Sequence, residues 1–162
     1  MSKNRINIIA HRGLWGKKRD QNTIKSLVKA IDSGFGVELD LRDYKNDIII
    51  SHDPLKKNER KIQFFKTFIS EYKKMNTSKT LAINIKSDGL SNDIKKILIK
   101  KNITNYFVFD MSFPEEVIYR KKGFIIFNRQ SEFEKTKKSF FTGNGLWIDC
   151  FRTIWFNKKI IK

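Results

Sequence analysis

Residues 24–42 read Ile-Lys-Ser-Leu-Val-Lys-Ala-Ile-Asp-Ser-Gly-Phe-Gly-Val-Glu-Leu-Asp-Leu-Arg, and within this stretch one backbone period replaces another. Ile24, Leu27, Val28 and Ile31 fall at the i, i+3, i+4, i+7 spacing of a helical face, which predicts a helix over about residues 23–33. Gly34 stops it, because glycine accepts the left-handed conformation that follows a last helical turn. Residues 36–42 then read as a strand. The same alternation continues outward in both directions. Strands are expected at 6–10, 48–51 (after a turn at 45–47), 81–86, 106–110, 124–128 and 146–150. Helices are expected at 62–75, 91–101, 114–122 and 131–141, with the start of another at 155–162. The strands are nearly continuous in apolar residues, as parallel strands covered on both faces are. This β-α order predicts an α/β fold, either a doubly wound sheet or a (β/α) barrel. No G-x-G-x-x-G turn follows the first strand, which counts against dinucleotide binding.

With 162 residues, the chain is expected to form one domain over 1–162. Its 40% apolar and 13% aromatic content argues for a packed core over a disordered chain. No apolar run is long enough to span a bilayer, and the N-terminus has no charged-then-apolar leader, so a cytoplasmic location is expected. The net charge of +17 attracts anions in general. However, the 26 lysines and 8 arginines are spread along the chain and accompany no nucleic-acid-binding motif. No specific nucleic-acid partner is expected. Cys150 stands alone, which excludes an internal disulfide, and it is expected to be a small buried hydrophobe.

The chemistry concentrates early. The two histidines, His11 and His52, each lie at the end of an expected strand, in Ile-Ile-Ala-His11-Arg12-Gly13 and Ile-Ile-Ile-Ser-His52-Asp53-Pro54. Parallel α/β folds build their sites at such ends. Between them runs Val37-Glu38-Leu39-Asp40-Leu41. Strand alternation turns Glu38 and Asp40 to one face and the three apolar side chains to the other. Two acids side by side on an inward face repel, and a divalent cation with hard oxygen ligands, Mg²⁺ or Ca²⁺, resolves the conflict. The alternative is a polar strand whose acids face water or pair with lysine.

His11-Arg12-Gly13, the Asn22-Thr23 helix start, Glu38-x-Asp40 and His52-Asp53, taken in order and spacing, resemble the signature of the glycerophosphodiester phosphodiesterases. Leu81-Ala-Ile-Asn84-Ile-Lys86 extends the likeness. Phe109-Asp-Met-Ser112, Phe127-Asn-Arg129-Gln-Ser-Glu132 and Gly145-Leu-Trp-Ile-Asp149 resemble a bacterial branch associated with polysaccharide genes. The resemblance implies a TIM-barrel-like fold and phosphodiester hydrolysis, with His11 and His52 as acid and base. Arg12 and Lys86 would bind the phosphate, and Glu38, Asp40 and Asn84 would hold the cation. The substrate would be a small-molecule or glycan phosphodiester. Asn84 and Gln21 stand where the family usually has glutamate. About six β/α units are read where a complete barrel has eight, so a shortened barrel is expected. Its open edges would call for a partner chain or homo-oligomer, or the chain would be an impaired phosphate-binding relic. Asp110, Arg129, Asp149 and Trp15 are further candidates for the pocket lining, and Trp147, Trp155 and Phe156 for core or interface.

Overall fold

The computed structural model describes residues 6–57, 61–134 and 143–157. The strands are β1 (Ile9–His11), β2 (Gly36–Tyr44), β3 (Asp47–Ile50), β4 (Leu81–Ile85), β5 (Tyr106–Phe109), β6 (Ile126–Gln130) and β7 (Gly145–Ile148). Between them lie the helices α1 (Ile24–Asp32), α2 (Phe65–Lys74), α3 (Ser91–Lys100) and α4 (Phe113–Lys121). One sheet runs in the order β1-β2-β4-β5-β6-β7, with every neighbouring pair parallel and β3 added antiparallel on β2. The sheet curls into half of a (β/α) barrel, as the β-α order led us to expect.

Local chemistry explains where the helices stop. After α4 the chain passes through Gly123 at φ 67°, whose N–H donates to the Arg120 carbonyl, while Phe124 N–H donates back to the Tyr119 carbonyl. This left-handed exit satisfies the last helical carbonyls. It repeats after α1 at Gly34 and Phe35, and after α3 at Asn102 and Ile103. It also explains why β6 begins two residues later than the apolar run suggested. Phe124 is the hydrophobic lock of the helix exit, packed edge-on to Tyr106 and 4.7 Å from the Tyr119 ring, rather than the first residue of the strand.

Strand alternation divides the interior into two cores. Val37, Leu39, Leu41, Leu81, Ile83, Tyr106 and Val108 face the helices and meet Leu27, Phe68, Ile69, Ile94 and Tyr119 there. Ala82, Phe107 and Phe109 turn to the concave face with Ile9, Phe127 and Trp147, where Phe107 stacks on Phe127 and Phe109 on Trp147. Full burial of one such leucine or phenylalanine is worth about 1.5–3 kcal/mol.

Two expectations are corrected. Cys150 is exposed, because it follows β7, a strand bonded on one side only among the described residues. Residues 131–134 and 155–157 are not helical, and the rest of the helices expected at 131–141 and 155–162 falls outside the described residues. No helix among the described residues is long and apolar enough to cross a membrane.

Candidate functional site

Glu38 and Asp40 point from β2 into the concave face at the C-terminal end of the sheet and are 1% and 0% exposed. Register places Asp40 beside Asn84 of β4, and Glu38 beside His11 of β1. Each carboxylate has one oxygen satisfied. Glu38 Oε2 accepts from the Arg12 backbone N–H at 3.1 Å, and Asp40 Oδ2 accepts from Asn22 Nδ2 at 2.7 Å. The other oxygens, Glu38 Oε1 and Asp40 Oδ1, are buried without a hydrogen-bond donor, and so is Asn84 Oδ1. Bare buried acceptors cost about 1–3 kcal/mol each. Burial first and the Asp40 charge second push the Glu38 carboxyl up to about 8, against a backbone hydrogen bond and the Arg12 charge that pull it down. Three hard oxygens on adjacent strands, two of them acidic, suit an oxygen-liganded divalent cation. No group of three or more His, Cys, Asp or Glu side chains placed to hold a metal occurs among the described residues. The third oxygen here comes from an amide, so the donor set includes a residue outside those four types.

The loop after β1 is shaped by two left-handed residues, Arg12 at φ 57° and Gly13 at φ 86°. A Cβ on Gly13 would lie 2.6 Å from the Ser26 carbonyl carbon, so the loop can press against α1 only with glycine there. The bend swings Arg12 over the acids, with Nε 2.9 Å from Asp40 Oδ2, a close charge pair that lacks hydrogen-bond alignment. Arg12 Nη1 reaches Gln21 Oε1 at 3.5 Å. Asn22, also left-handed at φ 56°, donates to the Asp40 carboxylate while its own Oδ1 accepts from the Asp40 N–H at 3.3 Å. It therefore clamps Asp40 from both ends. Sequence reading noted Asn22 only as part of a helix start. The signal for more was an asparagine immediately before the N-cap Thr23, where a left-handed residue is tolerated.

The histidines flank the acids. His11 Nε2 lies 3.8 Å from Glu38 Oε2 with most of its ring exposed. Burial and the Arg12 charge hold its imidazole below the ordinary value, and His52 is among the charges it feels. His52 arrives from the hairpin that the turn at 45–47 predicted. β3 runs against its neighbours, so the hairpin overshoots the end of the sheet and returns until Ser51 N–H donates to the Asp40 carbonyl at 3.0 Å. The His52 carbonyl then accepts from Arg42 Nη2 at 3.0 Å, and its Nδ1 meets Asp53 Oδ1 at 2.8 Å. The His52 hydrogen bond holds the Asp53 carboxyl below its usual range, so this carboxylate is the acceptor and Nδ1 carries the proton.

A second cluster closes the far side. Lys86 Nζ donates to Asp110 Oδ2 at 2.6 Å and lies 3.8 Å from Asp40 Oδ1. Arg129 bonds Asp110 and is forked onto Glu134. Asp149 accepts from Trp147 Nε1 at 2.8 Å, and burial raises its carboxyl. Trp15 donates to the His11 carbonyl at 3.0 Å and so braces the loop. Within one concave end the structure thus places His11, Arg12, Glu38, Asp40, Asn84 and Lys86, with His52 entering from the hairpin.

No family model and no curated protein matches the sequence. Solved structures resemble it. A glycerophosphodiester phosphodiesterase from Parabacteroides distasonis ATCC 8503 is 18% identical with a TM-score of 0.63, over 76% of this chain and 64% of that one. A protein from Galdieria sulphuraria, provisionally assigned the same activity, is 14% identical with a TM-score of 0.73, over 88% of this chain and 74% of that one. The chain therefore spans less than two thirds of the length of the first. At these identities the likeness establishes the shared fold.

Proposed function

We propose that this chain is a phosphodiesterase of the glycerophosphodiester phosphodiesterase type. The observation that carries the reading is the trio of buried oxygens without a hydrogen-bond donor, Glu38 Oε1, Asp40 Oδ1 and Asn84 Oδ1, set beside His11 and Arg12. The fold shared with the two structures above supports it. Mg²⁺ or Ca²⁺ held by Glu38, Asp40 and Asn84 would neutralise a non-bridging phosphate oxygen and the charge that develops in the transition state. Arg12 offers the phosphate a planar two-pronged donor, and Lys86 a point charge. His11, kept neutral by burial and Arg12, takes the proton from the attacking hydroxyl. In this role His52 is the imidazolium: it keeps Nδ1–H on Asp53 and gives its Nε2 proton to the departing alkoxide as the new P–O bond forms and the old one breaks. A hydroxyl on the substrate itself can attack first, giving a cyclic phosphate that water then opens.

The test is a panel of glycerophosphodiesters with Mg²⁺ or Ca²⁺. His11→Ala and His52→Ala should each lower kcat/KM by about 10²–10⁴-fold. Equal turnover in all three proteins would eliminate the chemistry. A phosphate-binding module is the second reading. It is favoured by the amide at Asn84 and by the engagement of Lys86 with Asp110, and it requires binding without turnover. On the enzymatic reading the chain acts in the cytoplasm on a small-molecule or glycan phosphodiester, in the manner of the polysaccharide-associated branch. A partner chain or second copy would then cover the β1 and β7 edges, which light scattering of the purified protein would reveal.

A further inference from the structure

We infer that the substrate is an oligomeric phosphodiester of a polyol, with a phosphate next to the scissile one seated in the basic groove beside His52; this rests on the phosphodiesterase reading above. The groove has a volume of about 920 Å³. One wall is the segment from Lys18 to Lys25, the other runs from Ile49 to Lys56 and includes Lys61 and Gln63, and Arg12 and His52 form its inner end. Among the described residues, Arg12, Lys18, Arg19, Lys25, Lys56 and Lys61 face it against Asp20 and Asp53 alone, and Asp53 is already engaged by His52.

The outer five of these cations are exposed, and none forms an ion pair among the described residues. Elsewhere Lys66, Lys74 and Lys96 each have a carboxylate partner, and lysines such as Lys73 and Lys100 stand apart on helix faces; the groove cations differ in being gathered around one concavity. Gathering unneutralised like charges in a concave surface costs self-repulsion and focuses a positive potential, which an anion relieves.

The lining also distinguishes among polyanions. Single-stranded nucleic acid is held by aromatic platforms as well as charge, and no Phe, Tyr or Trp is among the described residues that line the groove. A bilayer surface needs protruding large apolar residues, whereas Ile49 and Ile50 are buried in this concave surface, Leu55 is half-buried, and of its described apolar lining Pro54 alone is exposed. Gln21, Thr23, Ser51 and Gln63 instead supply amides and hydroxyls between the cations, the partners a polyol backbone requires. Because the groove opens from Arg12 and His52, a chain whose scissile phosphate sits at the acids would continue into it.

The experiment compares a synthetic chain of about six 1,3-linked glycerol phosphates with the single diester glycerophosphoglycerol, so that the cleaved bond is the same. At low salt the oligomer should show a kcat/KM roughly tenfold higher, gained in KM and lost by 200 mM salt, as expected for several phosphate contacts. The combined variant Lys18→Gln, Arg19→Gln, Lys56→Gln should abolish that advantage. A control of equal charge loss, Lys73→Gln, Lys100→Gln, Lys121→Gln, should keep it. Equal kcat/KM for the two substrates, or an advantage that survives in the groove variant, overturns the inference and leaves the phosphodiesterase reading standing. If neither substrate is cleaved, that reading fails instead, and anisotropy with a labelled oligomer decides the groove. Binding lost only in the groove variant sustains it. No binding, or binding no tighter than that of oligothymidylate or anionic vesicles of matched charge, overturns it.

Discussion

Along β2 every residue from Gly36 to Leu41 is buried, whereas along β7 none of the four is. Both are strands of one sheet, and β7 is the richer in apolar residues, so the difference lies in their surroundings. β2 is bonded to β1 and β3 on one side and to β4 on the other, and Val37, Leu39 and Leu41 are roofed by helices. β7 is bonded only to β6 among the described residues. Most of the large exposed apolar side chains lie in the final third, among them Ile125, Phe133, Leu146, Phe151 and Ile154, while Ile6, Ile8 and Trp15 are exposed around β1 and Ile99 on α3. The candidate catalytic groups hang from the region where burial leaves the backbone least freedom. Stability is distributed unevenly in folded chains, and here the acids draw their placement from the stiffer part.

The sharpest way to break this contrast is a matched pair of truncations. Leu39→Ala, at a fully buried position, should cost about 2–5 kcal/mol in denaturant unfolding. Leu146→Ala, 44% exposed, should stay within about 0.5 kcal/mol. Comparable losses would show that β7 is as tightly packed as β2. A second, smaller effect concerns the clamp on Asp40. Asn22→Ala leaves a buried carboxylate oxygen without its donor and should cost about 1–3 kcal/mol. Calorimetric titration with Ca²⁺ should also show affinity about 10–100-fold lower, since residues that orient a ligand tune the site. Unchanged affinity would remove Asn22 from the site.

The gentlest test uses pH. Glu38 has an ordinary carboxyl value of 4.5 when unfolded and about 8 in the fold. Between those values the native state keeps a proton that the unfolded chain has released. This contribution is therefore whole below 4.5 and is lost as pH rises toward about 8. Metal-free wild type should melt at a lower temperature near pH 8 than near pH 5, and Glu38→Gln should flatten that slope. Excess Ca²⁺ should restore the wild-type melting temperature at the alkaline end. A melting temperature that rises with pH in the wild type, relative to Glu38→Gln, would contradict the buried position of this acid.

Much of this was legible beforehand because the signals are local. The helix spacing of Ile24, Leu27, Val28 and Ile31 and the stop at Gly34 appear as α1 and its left-handed exit. The i, i+2 spacing of Glu38 and Asp40 appears as two acids on one concave face. What stayed hidden depends on side chains far apart in sequence. Asp110 and Lys86 are 24 residues apart, and Asn22 and Asp40 are 18 apart. No periodicity reports such pairs. Phe124 looked like a strand residue because an apolar side chain reads the same whether it locks a helix exit or enters a sheet.

The sequence alone determined the β-α order, the faces of the strands and the identity of the acids and histidines, since these follow from backbone period and from residue chemistry. Only the tertiary structure decided that the β2–β3 hairpin doubles back to carry His52 to Asp40, that Asn22 holds that carboxylate, and that three oxygens end without donors. Those outcomes depend on strand pairing and loop curvature, which arise from the whole chain packing at once. They also decided where the surface lysines gather into a groove, because a charge spread evenly along a chain becomes a patch only when folding brings two distant loops together.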